Sequence, residues 1–297
     1  MARSSTVPDA VRPAIRRGFV DCPSAQMHYR TAGEIRMGQR PLLMLHASPG
    51  SSRQLEPLIA ALAHTRRVVA PDTPGNGDSP AISAEDTTVV SLAQAMLDFI
   101  DAAGLATVDV YGSHTGACIA AELAILAPAR IGAVILDGAA SFARDVQQDY
   151  LRHYAPPFPA DRSGAYLVDM LQFCRDQALF YPWFRGTAEC RRGGGLMKPE
   201  DLHAWLTEVM KANETYHHNY HAAFRWNGEE RAGRIAQPVL MIAAENDPLF
   251  ADTMALSGHA PTARFVPLPA SSDTDFPARR LAALHQFLDQ PEGAMTR

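Results

Sequence analysis

The chain has 297 residues, a formal net charge of −5 and 20% charged residues. A chain of this length can bury one large core, and its slightly acidic balance excludes the basic surface that nucleic acids or anionic membranes require. No apolar run approaches the ~20 residues of a transmembrane helix. We therefore predict a protein that acts on a small molecule, with no nucleic-acid or membrane partner, as a monomer or homodimer.

The amino terminus and the cysteines bear on location in the cell. Residues 1–17 contain four arginines but lack the apolar core of a signal peptide, so we expect a disordered leader, with a transit peptide as the alternative. The four cysteines are scattered without the spacing of a zinc site or a disulfide framework. They indicate reduced thiols and a cytoplasmic protein, and no motif in the chain requires a metal or a cofactor.

In chain order, two short runs joined by a Cys-Pro-Ser turn predict a pair of antiparallel strands. From Pro41 onward, apolar β-rich runs alternate with amphipathic helical segments. The predicted strands are residues 17–21, 26–30, 42–45, 67–70, 108–111, 133–136, 239–243 and 264–268. The predicted helices are residues 54–63, 89–102, 116–127 and 278–288. Continuous apolar strands separated by helices predict an α/β fold with a mostly parallel sheet of eight strands and helices on both faces.

The alternation of strands and helices stops between Ser141 and Arg234. This stretch is helical, rich in aromatic residues and interrupted by three glycines at 193–195, which is typical of an inserted lid rather than a continued sheet. We therefore predict a core in two parts, residues 1–140 and 235–297. A helical lid, residues 141–234, lies between them in the chain.

A sharp strand-to-helix turn is predicted around His114, in the sequence Tyr-Gly-Ser-His-Thr-Gly. Small residues stand two positions before and two positions after the histidine, as a tight reversal requires for steric clearance. Such a turn is a nucleophile elbow, and its central residue is ordinarily Ser, Cys or Asp. Here the central residue is His114, so the motif predicts the fold while lacking the usual nucleophile.

Three further motifs accompany the elbow, in the order and at the intervals of a known family. They are Leu-His-Ala-Ser-Pro-Gly-Ser-Ser at 45–52, Ala-Pro-Asp-Thr-Pro-Gly-Asn-Gly-Asp-Ser at 70–79 and Pro-Val-Leu-Met-Ile-Ala-Ala-Glu-Asn-Asp at 238–247. With them, the chain resembles an α/β-hydrolase of the lid-bearing group that includes haloalkane dehalogenases, epoxide hydrolases and C–C hydrolases. The resemblance implies the α/β-hydrolase fold and says less about activity.

The resemblance also implies where catalytic residues should stand. Asp247 matches the position of the acid of the triad. The position of the triad histidine, after the last strand, is occupied by Asp273 or Asp275, depending on how the loop is aligned. A Ser-His-Asp triad is therefore absent. Dehalogenase and epoxide-hydrolase chemistry are disfavoured, because both need a carboxylate at the tip of the elbow.

The leading hypothesis is that His114 is a general base whose ring is oriented by Asp247, Asp273 or Asp275. The family's oxyanion hole would survive as the backbone N–H groups of Ser48 and Thr115, which do not depend on side-chain identity. Such a base could activate water for hydrolysis, or take a proton from the substrate in a lyase or isomerase reaction. The substrate is expected to be a small, largely apolar carbonyl or ester-type compound.

Other polar residues are expected near the elbow. His46, which is expected to support the oxyanion loop, and Ser113, which precedes the tip, are predicted to belong to the substrate-binding site, nucleophilic attack by Ser113 being the remoter alternative. Asp137 ends the sixth strand and is either a turn residue or a relocated acid. In the lid, His217, Tyr220 and His221 are predicted to line the pocket, a metal site of these histidines being the alternative. The competing hypothesis for the whole chain is a ligand-binding protein that kept the pocket and lost catalysis.

Overall fold

The computed structural model describes residues 13–290, so most of the predicted leader lies outside the described residues. Eight strands form one sheet in the order β1-β2-β4-β3-β5-β6-β7-β8. The strands are β1 (Arg16–Asp21), β2 (Gln26–Ala32), β3 (Leu42–Leu45), β4 (Val68–Pro71), β5 (Val108–Ser113), β6 (Ile131–Asp137), β7 (Val239–Ala244) and β8 (Ala263–Leu268). The pairs β1–β2 and β2–β4 are antiparallel, and all the other pairs are parallel. The predicted eight-stranded, mostly parallel sheet is confirmed.

Ten α-helices connect these strands in the described part of the chain. They are α1 (Glu56–Leu62), α2 (Val89–Ala102), α3 (Thr115–Leu126), α4 (Arg144–His153), α5 (Ala165–Leu179), α6 (Pro199–Lys211), α7 (Tyr216–Arg225), α8 (Gly228–Ala232), α9 (Phe250–Ser257) and α10 (Phe276–Asp289). A 3₁₀ turn, Ser52–Leu55, precedes α1. Within residues 13–290, no helix has both the length and the hydropathy needed to cross a membrane.

Two hydrophobic clusters bury the two faces of the sheet. Alternate strand residues point to opposite faces, so Leu43 and Leu45 pack with α2 and α3, while Leu42 and Met44 pack with α1 and α10. The central strands β3, β4 and β7 are buried along their whole length. This double coverage explains the continuous apolar runs of these strands.

The helices α4 to α8 all lie between β6 and β7 in the chain, where the alternating pattern stops. Part of this insertion has its own apolar core, in which α5, α6 and α7 meet around Phe173, Val209 and Tyr216. The insertion also contacts the sheet layer, since Ala222 and Trp226 belong to the same buried cluster as α2 and α3. The limits 141–234 of the lid remain a prediction, but the helices themselves are where it requires them.

Candidate active site

His114 stands at the tip of the turn between β5 and α3. Its backbone has φ +49° and ψ −112°, and it is the one non-glycine residue with positive φ in the described part of the chain. The glycines on either side explain how the turn closes: a Cβ on Gly112 would lie 2.1 Å from the carbonyl O of Gly116, and one on Gly116 would lie 2.3 Å from that of Leu45. The backbone N–H of His114 donates to the carbonyl O of Asp137 at 2.8 Å. A strained, fully constrained conformation of this kind is characteristic of functional sites.

The side chain of His114 pairs with Asp247, at the carboxyl end of β7. His114 Nε2 and Asp247 Oδ2 are 2.9 Å apart. The second carboxylate oxygen, Oδ1, accepts from the backbone N–H of Leu249 at 2.8 Å, which fixes the orientation of the carboxylate. The same edge of the imidazole lies against Gly138. No described residue hydrogen-bonds to Nδ1 of His114, and 38% of the His114 side chain stays accessible.

The charge state of the pair follows from its surroundings. Burial lowers the pKa of His114, but the charge and hydrogen bond of Asp247 outweigh burial and raise this pKa above its ordinary value, while Arg192 opposes them. Burial by itself would raise the pKa of Asp247, yet its interactions with His114 and Leu249 lower it to about 2. Asp247 is therefore ionised at neutral pH. Nε2–H of a neutral His114 then donates to Asp247, and the lone pair of the ring is on Nδ1.

A cavity of about 240 Å³ opens above the elbow. This is smaller than the ~300–1,000 Å³ of pockets for drug-sized ligands, so a small substrate fits it best. His114, Cys118 and Leu249 line it from the core, and burial raises the pKa of Cys118 to about 12, which keeps it a neutral thiol. Its aromatic lining residues are Phe142, Tyr154, Tyr181, Trp205, Tyr220 and Phe224. Six lining residues are thus aromatic, and polar side chains such as Gln54, Gln177 and Arg192 stand among them.

Ser48 and Thr115, the predicted oxyanion residues, both line this cavity. In the described part of the chain, neither backbone N–H has a hydrogen-bond acceptor. The hydroxyl Oγ of Ser48 is also buried and without a partner. Two backbone N–H groups and one hydroxyl of residues that line the cavity are therefore without an acceptor, as donors kept for a substrate oxygen would be. The assignment of this hole to Ser48 and Thr115 remains a prediction that the lining supports.

The carbonyl of Pro49, the next residue of the oxyanion loop, accepts two hydrogen bonds. Gln54 Nε2 donates to it at 3.0 Å from the core, and Trp205 Nε1 donates to it at 2.9 Å from the lid helix α6. Both donors also line the cavity. The lid therefore contacts the loop that presents the N–H group of Ser48.

The structure does not bring Asp273 or Asp275 to His114. Both are exposed, and they line a separate surface depression together with Glu245 and Arg279. Asp275 is the residue that directly precedes the first turn of α10. Of the three acids that the sequence leaves open as partners of His114, the one in contact is Asp247.

A buried polar network lies beneath the elbow and involves Asp137. Its Oδ2 accepts from Tyr111 Oη at 2.6 Å and from Arg280 Nη2 at 2.5 Å. Burial alone would lower the pKa of Arg280, but Tyr111 and Asp137 raise it above its ordinary value, so Arg280 stays charged. The carboxylate of Asp137 is thus paired below the sheet end, and only its backbone carbonyl meets His114. Asp137 is therefore neither a free turn residue nor the acid that pairs with the side chain of His114.

His46 and Ser113 do not line the cavity. His46 is completely buried, with Nδ1 donating to the carbonyl of Ala47 at 2.8 Å and Nε2 accepting from the N–H of Thr73 at 3.0 Å. Burial lowers its pKa, so it stays neutral. With both nitrogens occupied, His46 can support the oxyanion loop but cannot bind a substrate. Ser113 ends β5 half-buried and is likewise outside the lining.

Of the three lid residues predicted to line the pocket, Tyr220 does so and the two histidines do not. The rings of His217 and His221 have their centroids 5.6 Å apart, and that of His218 lies 4.5 Å from His217. Burial, together with these neighbours, lowers the pKa of His217 to about 4. These histidines pack on one another along α7 and are not among the lining residues, which from this helix are Tyr220, Ala223 and Phe224.

The lid histidines also do not form a cluster with metal-binding spacing. Within residues 13–290, the group of His, Cys, Asp or Glu close enough for this is His28, Asp72 and Asp78. The oxygens of Asp72 already accept from His28 Nδ1, the Ser52 hydroxyl and the backbone N–H of Asp78. That group therefore serves as a structural network around the buried carboxylate of Asp72.

Sequence reasoning missed most of the cavity wall. Gln177 and Trp205 lie on lid helices whose patterns do not show which face meets the core. Gly138 directly follows Asp137 after the sixth predicted strand. The end of this strand lies at the same edge of the sheet as His114, and this was the one signal that could have placed Gly138 beside the imidazole. Its small size matters because the imidazole occupies the space next to it.

Comparison with known proteins identifies the family to which this fold belongs. A family model described as "alpha/beta hydrolase fold" matches residues 40–260, most of the chain. The chain therefore belongs to the α/β-hydrolase fold family. An enol-lactonase from Burkholderia xenovorans LB400 has a similar structure, with a TM-score of 0.70 and 22% identity over 92% of this chain and all of that one. Epoxide hydrolase A from Mycobacterium thermoresistibile has a TM-score of 0.71 and 20% identity over 94% of this chain and 99% of that one. At these identities the two structures show the fold alone.

Relatives by sequence are more similar over shorter stretches. A 2-hydroxy-6-oxononadienedioate/2-hydroxy-6-oxononatrienedioate hydrolase of Pseudomonas putida is 37% identical over 131 residues, 42% of this chain and 43% of the relative. A protein of the same name from Dechloromonas aromatica is 35% identical over 131 residues, 42% of each chain. The match thus spans less than half of the length of these relatives. Their names support an enzyme of the hydrolase class within this family.

Proposed function

We propose that this protein is a hydrolase in which His114, oriented by Asp247, acts as a general base rather than as part of a Ser-His-Asp triad. The observation that carries the proposal is the 2.9 Å contact between Nε2 of His114 and Oδ2 of Asp247 at the tip of the elbow. The elbow ordinarily presents a nucleophile to a carbonyl group, and here it presents an imidazole nitrogen instead. His114 Nδ1 would take a proton from water as that water attacks the substrate carbonyl.

The donors around the cavity support this role. As the carbonyl carbon becomes tetrahedral, its oxygen gains negative charge, which the N–H groups of Ser48 and Thr115 and the hydroxyl of Ser48 would stabilise. The negative charge of Asp247 would stabilise the imidazolium that forms on His114. No covalent enzyme intermediate is required, because the base acts on water and not on a serine.

The lining indicates the kind of substrate. Six aromatic side chains in a cavity of about 240 Å³ favour a small, planar, largely apolar carbonyl compound, such as an aryl ester or a lactone. Arg192 adds one cation to this lining.

The four cysteines are free thiols, which supports the expected cytoplasmic location.

A second reaction uses the same groups. If the base takes a proton from the carbon next to the carbonyl, the same donors stabilise an enolate, and the enzyme is a lyase or isomerase. The observation that favours this variant is that His114 itself occupies the tip of the elbow, where the family places the group that touches the substrate directly. Exchange of α-protons for deuterium, followed by NMR in D₂O, detects it.

The test is turnover of phenyl acetate and of small lactones by the wild type, His114→Ala and His259→Ala. His259 is exposed and distant from the cavity lining, so it serves as the matched control. We expect His114→Ala to lose about 10²–10⁴-fold in kcat/KM, the range that general-base catalysis contributes. His259→Ala should match the wild type.

Two results would overturn the proposal. If His114→Ala keeps both hydrolysis and α-proton exchange, His114 is not the base. If the wild type shows neither reaction while small carbonyl compounds bind in the cavity, the protein is a binding protein built on a hydrolase fold, which is the competing hypothesis.

A further inference from the structure

The lid helix α5 carries a buried amide that the proposed chemistry does not use. Gln177 lines the cavity above the elbow. Its Nε2 is shielded from solvent and has no hydrogen-bond partner within residues 13–290. Its other polar atoms are occupied: Oε1 accepts from the hydroxyl of Tyr220 at 3.0 Å, and the backbone carbonyl accepts from Arg192 Nη1 at 3.0 Å. One donor group of Gln177 is therefore left over.

Tyr220 holds one end of the amide, because its hydroxyl donates to Oε1 at 3.0 Å. Burial keeps the pKa of Tyr220 well above its ordinary value, so the phenol stays protonated and able to donate. The amide is then held at both its side-chain oxygen and its backbone carbonyl. A buried N–H group without an acceptor costs free energy, and a ligand atom that accepts from it removes that cost.

We propose that Gln177 is a specificity-determining residue that donates a hydrogen bond from Nε2 to a second acceptor oxygen of the substrate. The substrate is then a small planar carbonyl compound that carries an ether, hydroxyl or further carbonyl oxygen on the side that faces the lid. Its reacting carbonyl lies at Ser48 and Thr115, a placement that rests on the proposed function. A site built around such a donor rejects analogues that lack the acceptor, because the donor would remain unpaired.

The two kinds of donor reach the cavity from different layers of the protein. Ser48 and Thr115 belong to the core, whereas Gln177 belongs to the lid helix α5. The aromatic walls between them bind any planar ring, so they discriminate little among substrates. Gln177 therefore adds a donor on the side of the lid to the donors that the core supplies.

The test uses ligands that bind without reacting. Acetophenone derivatives carry one carbonyl, and a methoxy group differs from an ethyl group of similar shape chiefly in its acceptor oxygen. Dissociation constants of methoxy- and ethylacetophenones, substituted at each of the three ring positions, are measured by calorimetry on the wild type, Gln177→Met and Gln177→Leu. Thermal denaturation checks that the variants fold, and Gln94→Met, at an exposed site on α2, is the matched control.

We expect the wild type to prefer methoxy over ethyl by about tenfold at one ring position, as one hydrogen bond to a buried donor provides. Gln177→Met and Gln177→Leu should lose this preference, and Gln94→Met should keep it. The proposal is overturned if the wild type shows no preference at any position, or if the preference survives in the folded variants. Aminoacetophenones that bind more tightly than methylacetophenones would also overturn it, because they would show an acceptor in place of the donor.

Failure of this proposal differs from failure of the proposed function. These measurements need binding and not turnover, so they do not depend on His114 acting as a base. Absence of a methoxy preference in the wild type, with hydrolysis that depends on His114, would remove the role of Gln177 alone. If the wild type shows the methoxy preference and His114→Ala hydrolyses its substrates as fast as the wild type, the role of His114 alone is removed.

Discussion

The imidazole of His114 occupies the space that a side chain at Gly138 would fill. A Cβ built on Gly138 would lie 2.7 Å from Cδ2 and 2.8 Å from Nε2 of His114. Gly138 also has φ +71°, a conformation that side chains rarely adopt. The residue therefore supports the dyad twice, through its backbone conformation and through its missing side chain.

Replacing Gly138 with Ala should push the imidazole away from Asp247. A displacement of about 1 Å at a catalytic group can cost ~10²-fold in rate, so we expect a loss of that order in kcat. The free energy of unfolding should fall by about 1 kcal/mol from the positive φ. Kinetics and thermal denaturation measure the two effects. Gly186→Ala, where an added Cβ meets nothing within 4 Å, is the control, and equal activity of both variants would contradict the steric argument.

Replacing Asp247 with Asn should change how activity depends on pH. The base must be neutral, so activity of the wild type should rise with pH through the His114 pKa, which lies above its ordinary value of 6.5. The asparagine side chain carries no charge, so burial then dominates and lowers the pKa of His114. We expect the midpoint of kcat/KM to move to lower pH and the plateau to fall by ~10²-fold or more.

The matched control for this change is Asp273→Asn, at the exposed acid that the sequence left open as a partner. Its profile should coincide with that of the wild type. A shifted midpoint in Asp273→Asn, with an unshifted one in Asp247→Asn, would assign the role to the loop after β8 instead.

Asp247 should also contribute to stability over a defined range of pH. Its pKa falls from an ordinary value of 3.8 to about 2 in the folded protein, so the folded state favours the ionised form. This stabilisation is present above pH 3.8 and is lost as the pH falls towards about 2. The difference in free energy of unfolding between the wild type and Asp247→Asn should therefore shrink over this range. Denaturant titrations at several pH values measure it, and a constant difference would contradict the pairing.

Ser48→Ala should separate stability from activity. The hydroxyl of Ser48 is buried without a partner, so its removal should leave the free energy of unfolding unchanged or raise it by about 1 kcal/mol. If the hydroxyl stabilises the developing oxyanion, kcat should fall, by up to ~10²-fold for loss of one such donor. Ser272→Ala, at an exposed site, is the comparison. Unchanged kcat would leave the hole to the backbone N–H groups alone.

Restoring serine at position 114 should not create a Ser-His-Asp hydrolase. Within the described residues, His114 is the one histidine in the lining of the cavity, so His114→Ser leaves a hydroxyl with no imidazole to activate it. We expect hydrolysis of p-nitrophenyl acetate by His114→Ser to stay at the level of His114→Ala. Burst kinetics from an acyl-enzyme would show that another base reaches the serine.

The sequence predicts the elements of this fold well, because apolar strand runs and helix stops depend on local chemistry. It also brings His114 and Asp247 to one edge of the sheet, since both follow strands of the parallel part. It leaves Asp273 and Asp275 open, because the path of the loop after β8 depends on contacts that no local pattern encodes. His46 carries the polar character of a binding residue, and its complete burial follows from packing of the whole core.

The lid is the least predictable part. Gln177, Trp205 and Tyr220 come from three different helices, and only their mutual packing decides which side chains face the elbow. The histidines of α7 show the limit clearly: they lie close to Tyr220 in sequence, yet His217 and His221 are not among the residues that line the cavity. Helical periodicity gives the angles between these residues but not the direction of the cavity.

The two hydrogen bonds to the carbonyl of Pro49 make the oxyanion loop depend on the position of the lid. Gln54 belongs to the core and Trp205 to α6, so a displacement of α6 would remove one of the two donors and leave the other. Pro49 directly follows Ser48, whose N–H group is assigned to the oxyanion hole. The placement of that catalytic donor is in this way shared between two layers of the protein, and a substitution in α6 can alter it without touching the core.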